Sequence, residues 1–189
     1  MHNIEPYDRW KNLYDAAQDV YSPFYNRQYH ETLCTQTIYN YYIHPQWDYF
    51  GSDTLYCKIL FTDYQRKFSV IELMGEWNDC LHNDIMHLKR NLIDELLKYD
   101  INQFIIIGEN VLNFHASDDC YYEEWYEDIE DGFIAFINFR PHVLEEFYNI
   151  NADYYFVSGG ELDDFAWRPL SPVKLFESIQ SITLHRLGM

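Results

Sequence analysis

From residue 54 onward, short apolar runs alternate with stretches whose apolar positions repeat every three or four residues, the patterns of strands and amphipathic helices respectively. Residues 54–62 (TLYCKILFT) and 67–75 (KFSVIELMG) predict two strands joined by the polar turn Asp63–Arg66, a hairpin. Residues 80–99 predict a long helix with a buried stripe of Leu81, Ile85, Leu88, Leu92, Leu96 and Tyr99, capped by Asp79 or Asn83. The continuous apolar runs 103–109 (QFIIIGE) and 132–139 (GFIAFINF) predict strands covered on both faces. Between them, Tyr122, Trp125, Tyr126 and Ile129 recur at i, i+3, i+4 and i+7, which is one face of a helix. Pro141 suits the first turn of a helix running through Asn149. Residues 153–158 (DYYFVS) predict a strand ended by Gly159-Gly160, and a last helix runs from Ser171-Pro172 to about His185.

The order is β-β-α-β-α-β-α-β-α. Buried strands alternating with helices imply an α/β fold with a mostly parallel sheet and right-handed crossovers, and the leading hairpin adds an antiparallel edge. The first 53 residues have a different texture. Residues 6–20 (PYDRWKNLYDAAQDV) predict a short helix, residues 32–43 (TLCTQTIYNYYI) a strand, and His44-Pro45 and Gly51-Ser52-Asp53 turns. We therefore expect an N-terminal extension, residues 1–53, packed on an α/β domain of residues 54–189.

Composition narrows the partners. A hydrophobic content of 48% over 189 residues suffices for one real core. The 18 Tyr, 13 Phe and 5 Trp supply it, or supply half-buried surfaces for ligands and interfaces. A net charge of −18 argues against nucleic acid or an anionic membrane as the main partner, because each needs a basic footprint. It fits a cationic protein, a divalent metal, or high solubility alone. Cys34, Cys57, Cys80 and Cys120 make no CxxC pair and are expected to be reduced. The stretch MHNIEPYDRWKN has no basic-then-apolar leader pattern, and no uncharged apolar run is long enough to span a bilayer. The expectation is a cytoplasmic protein.

The charge is concentrated. Eight carboxylates fall between Asp118 and Asp131, while no Lys or Arg occurs between Lys98 and Arg140. Helix stability accounts for three of them: Asp118, Asp119 and Glu123 complement the positive end of a helix dipole, and Asp118 can cap. Glu127, Asp128, Glu130 and Asp131 sit at the negative end, where acids are unfavourable, and Glu123/Glu127 and Glu124/Asp128 repel at i, i+4. A solvated face or a basic partner remains as the reason for them.

The chain also resembles a known family, the STAS domain typified by bacterial anti-sigma-factor antagonists. IELMGEWND (Ile71–Asp79) is similar to that family's second strand and the turn that ends it. INQFIIIGENVLNFHASDD (Ile101–Asp119) is similar to its central strand and the following loop, and FINFRPHVLEEFYNI (Phe136–Ile150) to its strand–helix segment. The match spans roughly residues 54–183 and rests on element order and texture. In that family the loop commonly reads Asp-Ser-Ser/Thr-Gly, with its second hydroxyl phosphorylated. Here it reads Ala116-Ser117-Asp118-Asp119, so Asp118 stands at the phosphorylated position, Asp119 replaces the glycine and Ser117 remains beside it. A fixed carboxylate carries about half the charge of a phosphoserine. The resemblance implies a non-enzymatic interaction module without a cofactor. Its contact residues would be His115, Ser117, Asp118, Asp119, Glu123, Glu124, Glu127 and Asp128, facing a basic protein partner.

Other chemistry competes. His115, Asp118 and Asp119 are candidate metal ligands; with Glu76, Asp79 and His82 at converging strand ends they would make a metal-dependent hydrolase. His82 and His87 diverge around a helix and cannot share one ion, whereas Asp84 and His87 share a face. Ser117 lacks a nucleophile elbow, and Ser158-Gly159-Gly160 lacks a phosphate-loop pattern. Trp167 beside Arg168 in the loop 159–172 would be an interface anchor if exposed, or a plug on the sheet end if buried. A lipid or small-molecule site would need a large aromatic-lined cavity. The aromatic extension is a candidate for covering a sheet edge or for self-association. Catalytic ligands converging in one concavity favour chemistry; acids displayed on a convex helix favour binding.

Overall fold

The computed structural model describes residues 4–187. Its main sheet has four strands in the order β3-β4-β5-β6: β3 (Leu55–Asp63), β4 (Phe68–Asn78), β5 (Gln103–His115) and β6 (Phe133–Ile137). β3 and β4 form the expected antiparallel hairpin, and β4–β5 and β5–β6 pair in parallel. The α/β class and the antiparallel edge are thus as the hydrophobic pattern predicts. A second, two-stranded sheet joins β1 (Thr37–Ile38) to β2 (Tyr41–Tyr42).

Both faces of the main sheet are covered, which is why β6 and the first half of β5 read as continuous apolar runs. One face carries Ile71, Leu73, Phe104, Ile106, Ile134 and Phe136, packed under the helices that follow β4, β5 and β6. These helices are α1 (Asp79–His82), α2 (Asp84–Leu88) and α3 (Asp94–Leu97), then α4 (Cys120–Asp128) and α5 (Pro141–Asn149). The other face carries Val70, Ile105, Ile107, Ala135 and Ile137, packed against Leu175, Phe176 and Ile179 of α6 (Pro172–Leu187) and against Trp10 and Trp167.

The predicted helix 80–99 is broken in two places. Asn83 adopts a left-handed conformation (φ 51°), closing α1 after one turn. Residues Lys89–Ile93 then form a π turn between α2 and α3. The first turn is capped by the Asn78 side chain, which accepts from the Leu81 amide, and not by Asp79; Asn83 stands at the N-cap position of α2 without a side-chain bond. Leu81 is turned out to solvent at 78% exposure and Tyr99 is also exposed, so the expected stripe holds only for its four central residues.

Three further expectations are corrected. Residues 6–20 form turns rather than a helix. Asp15 Oδ1 takes the Ala17 amide and Asp19 Oδ1 the Tyr21 amide, and such local side-chain bonds compete with a helical backbone. Of the strand expected over 32–43, only β1 and β2 form, reversed at Tyr39 and Asn40, both with positive φ. The strand expected over 153–158 shrinks to one parallel bridge between Val157 and Ala135, preceded by a 3₁₀ turn, Ala152–Tyr154. The reason is the left-handed Asn151, which reverses the chain after α5.

Candidate functional site

Strands β4 and β5 pair in parallel to their carboxyl ends through two register shifts, and Asn78 stands opposite His115. The loops beyond them enclose a polar concavity of about 270 Å³ lined by Asp79, Asn83, Ser117, Asp118 and Tyr121, among others. Crevices at the carboxyl ends of parallel strands are the usual ligand position of open α/β sheets.

Its floor is the buried Asp79. Oδ1 accepts from the Trp77 indole (2.9 Å) and the Ile85 amide (2.8 Å), and Oδ2 from the Tyr122 hydroxyl (2.6 Å). Burial pushes its pKa up to about 7, against these three hydrogen bonds. Asp84, also buried, accepts from the Asn78 amide and the Thr54 hydroxyl through Oδ2 and has no partner at Oδ1. Burial raises its pKa as well.

The residues singled out from sequence divide. Ser117 and Asp118 line the concavity with Asp79, but His115 and Asp119 do not. Asp118 does not cap α4: its Oδ1 accepts from the Cys120 amide in a local turn, and the N-cap residue is Asp119. Asp119 accepts from the Tyr155 hydroxyl at 3.2 Å. Among the described residues, no three His, Cys, Asp or Glu side chains are grouped to hold a metal ion. The ligand set His115, Asp118 and Asp119 is therefore not assembled, and the metal-dependent hydrolase loses its geometric basis. The Cys120 thiol pKa is raised by the adjacent Asp118, which disfavours a reactive thiolate.

α4 itself departs from its helical wheel. Tyr122, Trp125 and Ile129 are buried as the period predicts, but Tyr126 is 52% exposed. The nine-residue helix covers a narrow stripe, and Tyr126 lies at its edge, 6.0 Å centroid to centroid from Tyr155. Two of the acids are occupied within the chain. Glu124 receives a two-pronged hydrogen bond from Arg90 (2.5 and 2.8 Å), and Asp128 accepts from Lys89 at 2.8 Å. Lys89 also bonds Asp94, and its ammonium is buried. Burial works to lower the Lys89 pKa, but the hydrogen bonds its ammonium donates to Asp128 and Asp94 outweigh it and raise it. Glu124 and Asp128 thus dock α4 onto the π turn. Glu123, Glu127, Glu130 and Asp131 remain exposed, and none forms a salt bridge with a described residue.

Trp167 is not an exposed anchor. It is buried against Tyr7 and Trp10 on the opposite sheet face, and its indole donates to Glu109 Oε1 at 2.7 Å. Arg168 lies over the indole and pairs with Glu109 Oε2. Burial works to raise the Glu109 pKa, but Arg168, Asn138 and Trp167 together hold it below the usual carboxylate range. Next to it, Glu72 accepts from the Tyr7 amide and from Asn110, and burial pushes its pKa up to about 7. This carboxylate pair was missed from sequence. The signal was present: Glu72 within VIELM and Glu109 at the end of FIIIGE are acids at strand positions otherwise wholly apolar. Lys89 and Arg90 were missed too, because contacts 34 and 39 residues away leave no local trace.

Compared with known proteins, the chain matches no protein-family model and no curated protein. Among solved structures it is similar to a proposed anti-sigma factor antagonist of Thermotoga maritima, with a TM-score of 0.43 and 17% identity, over 66% of this chain and 92% of that one. The likeness concerns the fold alone. No helix among the described residues is long and apolar enough to cross a membrane.

Proposed function

We propose that this chain is a non-enzymatic, regulatory protein-interaction domain that presents the outer face of α4, with the loop His115–Asp119 before it, to a basic protein partner. One observation carries the reading. After Lys89 and Arg90 have engaged Glu124 and Asp128, the helix and the turn that ends it still display Glu123, Glu127, Glu130 and Asp131, with Tyr126 exposed among them. Acids at a helix carboxyl end cost stability, so their placement calls for a use outside the fold. The exposed Tyr126 among them supplies a ring face that attracts Arg and Lys. His115, Ser117 and Asp118 are exposed in the segment that leads into α4. The contact set read from sequence is narrowed accordingly: Glu124 and Asp128 position the helix, and Trp167 belongs to the core.

The test is an affinity capture from a native-like lysate with wild type and with Glu123→Lys/Glu127→Lys, both matched for folding by circular dichroism. A saturable partner recovered by wild type and lost with the variant supports the reading. Equal recovery by both proteins overturns it.

A further inference from the structure

A second cleft lies beside β3, the outer strand of the main sheet, and none of its lining residues belongs to α4 or to the loop before it. Its volume is about 440 Å³, within the range of small-molecule sites. Residues 5–16 supply one wall and residues 29–46 the other, and the buried Pro6, Ala16 and Leu60 give it an apolar base. Three half-buried tyrosines line it with their hydroxyls turned to partners in the chain. Tyr7 donates to the Arg168 carbonyl (2.6 Å), Tyr14 to Asp19 (2.7 Å) and Tyr29 to Asp48 (2.6 Å). What they offer the cleft is therefore ring surface rather than a hydrogen-bond donor.

Acid stands on both walls: Glu5, Asp8 and Asp15 on one, Glu31 on the other. Asp15 is engaged by the Ala17 amide and the Gln18 side chain, and Glu5 lies 3.5 Å from His44. Asp8 and Glu31 make no side-chain hydrogen bond or salt bridge with another described residue. These four carboxylates outnumber the two lining lysines, Lys11 and Lys58. The Lys58 ammonium is itself informative. It lies 3.2 Å from the buried Asp48, which Arg27 also approaches at 3.3 Å, and 3.7 Å from the Tyr29 ring centroid. The chain thus already holds one of its own amines at this wall, between a carboxylate and a ring face. A bare metal ion is a poorer fit, because no three His, Cys, Asp or Glu side chains among the described residues are grouped to hold one.

We propose that this cleft binds a small aliphatic polyamine, its ammonium groups at the carboxylates of the two walls and its methylenes on the tyrosine rings and the apolar base. Each part of the lining then has a counterpart in the ligand. The free carboxylates Asp8 and Glu31 meet cations, the rings meet either an ammonium or the chain beside it, and the base meets carbon. An amino acid or a phosphate ester would bring an anion against the same carboxylates, which is unfavourable. The site shares no residue with the face of α4, so neither proposal depends on the other.

The experiment is a titration of the full-length ¹⁵N-labelled chain in about 0.15 M sodium chloride, read at the Ala16 and Leu60 amides. The probes are spermidine, 1,8-octanediol as a chain of similar length without charge, and magnesium chloride as charge without a chain. We expect spermidine to shift both amides saturably and the other two to leave them in place. Asp8→Asn/Glu31→Gln, at two exposed wall positions, should weaken spermidine binding by about fivefold or more. Glu123→Lys/Glu127→Lys on α4 should leave it within about twofold, since screening confines the effect of distant charges. Equal shifts with octanediol would take the ammonium out of the recognition. Equal shifts with magnesium, or an equal loss in the α4 variant, would reduce the binding to bulk charge and contradict a site. Amides unmoved by spermidine would overturn the proposal outright.

Discussion

The carboxyl of Asp79 ties β4, α2 and α4 together through Trp77, the Ile85 amide and Tyr122. Burial raises its pKa from 3.8 to about 7, and that of Glu72 from 4.5 to about 7. Both groups bind protons more tightly folded than unfolded. Their contribution is therefore fully present below about pH 4 and is lost as pH rises through 7, by up to about 1.4 kcal/mol per pH unit per group. We expect the denaturation midpoint in urea to fall between pH 5 and pH 8, and Asp79→Asn to flatten that slope while keeping the three partners within reach. A slope unchanged in the variant would show that Asp79 is not the titrating group. Tyr122→Phe leaves one Asp79 oxygen without its donor and should destabilise by about 1–3 kcal/mol, read in the same denaturation experiment. From sequence Asp79 looked like a cap or a ligand. Its real role rests on Tyr122, 43 residues on, and no periodicity reveals such a bond.

At the scale of elements, the pattern predicts well wherever burial alone decides. β3 to β6, α5 and α6 stand close to where apolar runs and Pro141 place them, because a strand covered on both faces has few alternatives. It fails where side chains compete for the backbone: the Asp15 and Asp19 turns, the left-handed Asn83 and Asn151, and the π turn. That turn brings Lys89 under α4, where its buried ammonium meets Asp94, Glu124 and Asp128. Lys89→Met should cost about 1–2 kcal/mol, less than for a fully buried pair because the carboxylates are a quarter to a half exposed. Hydrogen exchange should then show α4 opening ahead of the sheet; exchange as slow as in wild type would mean that Trp125 and Tyr122 alone hold the helix. Glu127→Lys works the other way. It relieves repulsion with Glu123 and suits the negative helix end, so thermal unfolding should move up by a few tenths of a kcal/mol in stability, at the expense of binding.

Across the whole molecule, charge and architecture divide the labour. The sheet buries one core on each face, and a net charge of −18 is left on the surface. Self-repulsion of that size predicts a melting temperature that rises with sodium chloride between about 0.05 and 0.5 M, as the Debye length shortens. A falling melting temperature would instead give the Lys89 and Arg90 ion pairs the larger share. The location of the candidate contact face was legible in the run of acids from Asp118 to Asp131, but its composition was not. Which acids are free depends on Lys89 and Arg90, and Tyr126 faces outward at the edge of the buried stripe.

The most direct measurement is the affinity of the captured partner for three proteins of matched folding: wild type, Glu123→Lys/Glu127→Lys on α4, and Glu145→Lys/Glu146→Lys on the exposed side of α5. The last two carry the same change in net charge. If α4 is the contact face, the first variant loses at least tenfold in affinity, about 1.4 kcal/mol, and the α5 variant binds nearly as wild type does. Equal losses in both variants would mean that bulk charge, and not the face of α4, attracts the partner.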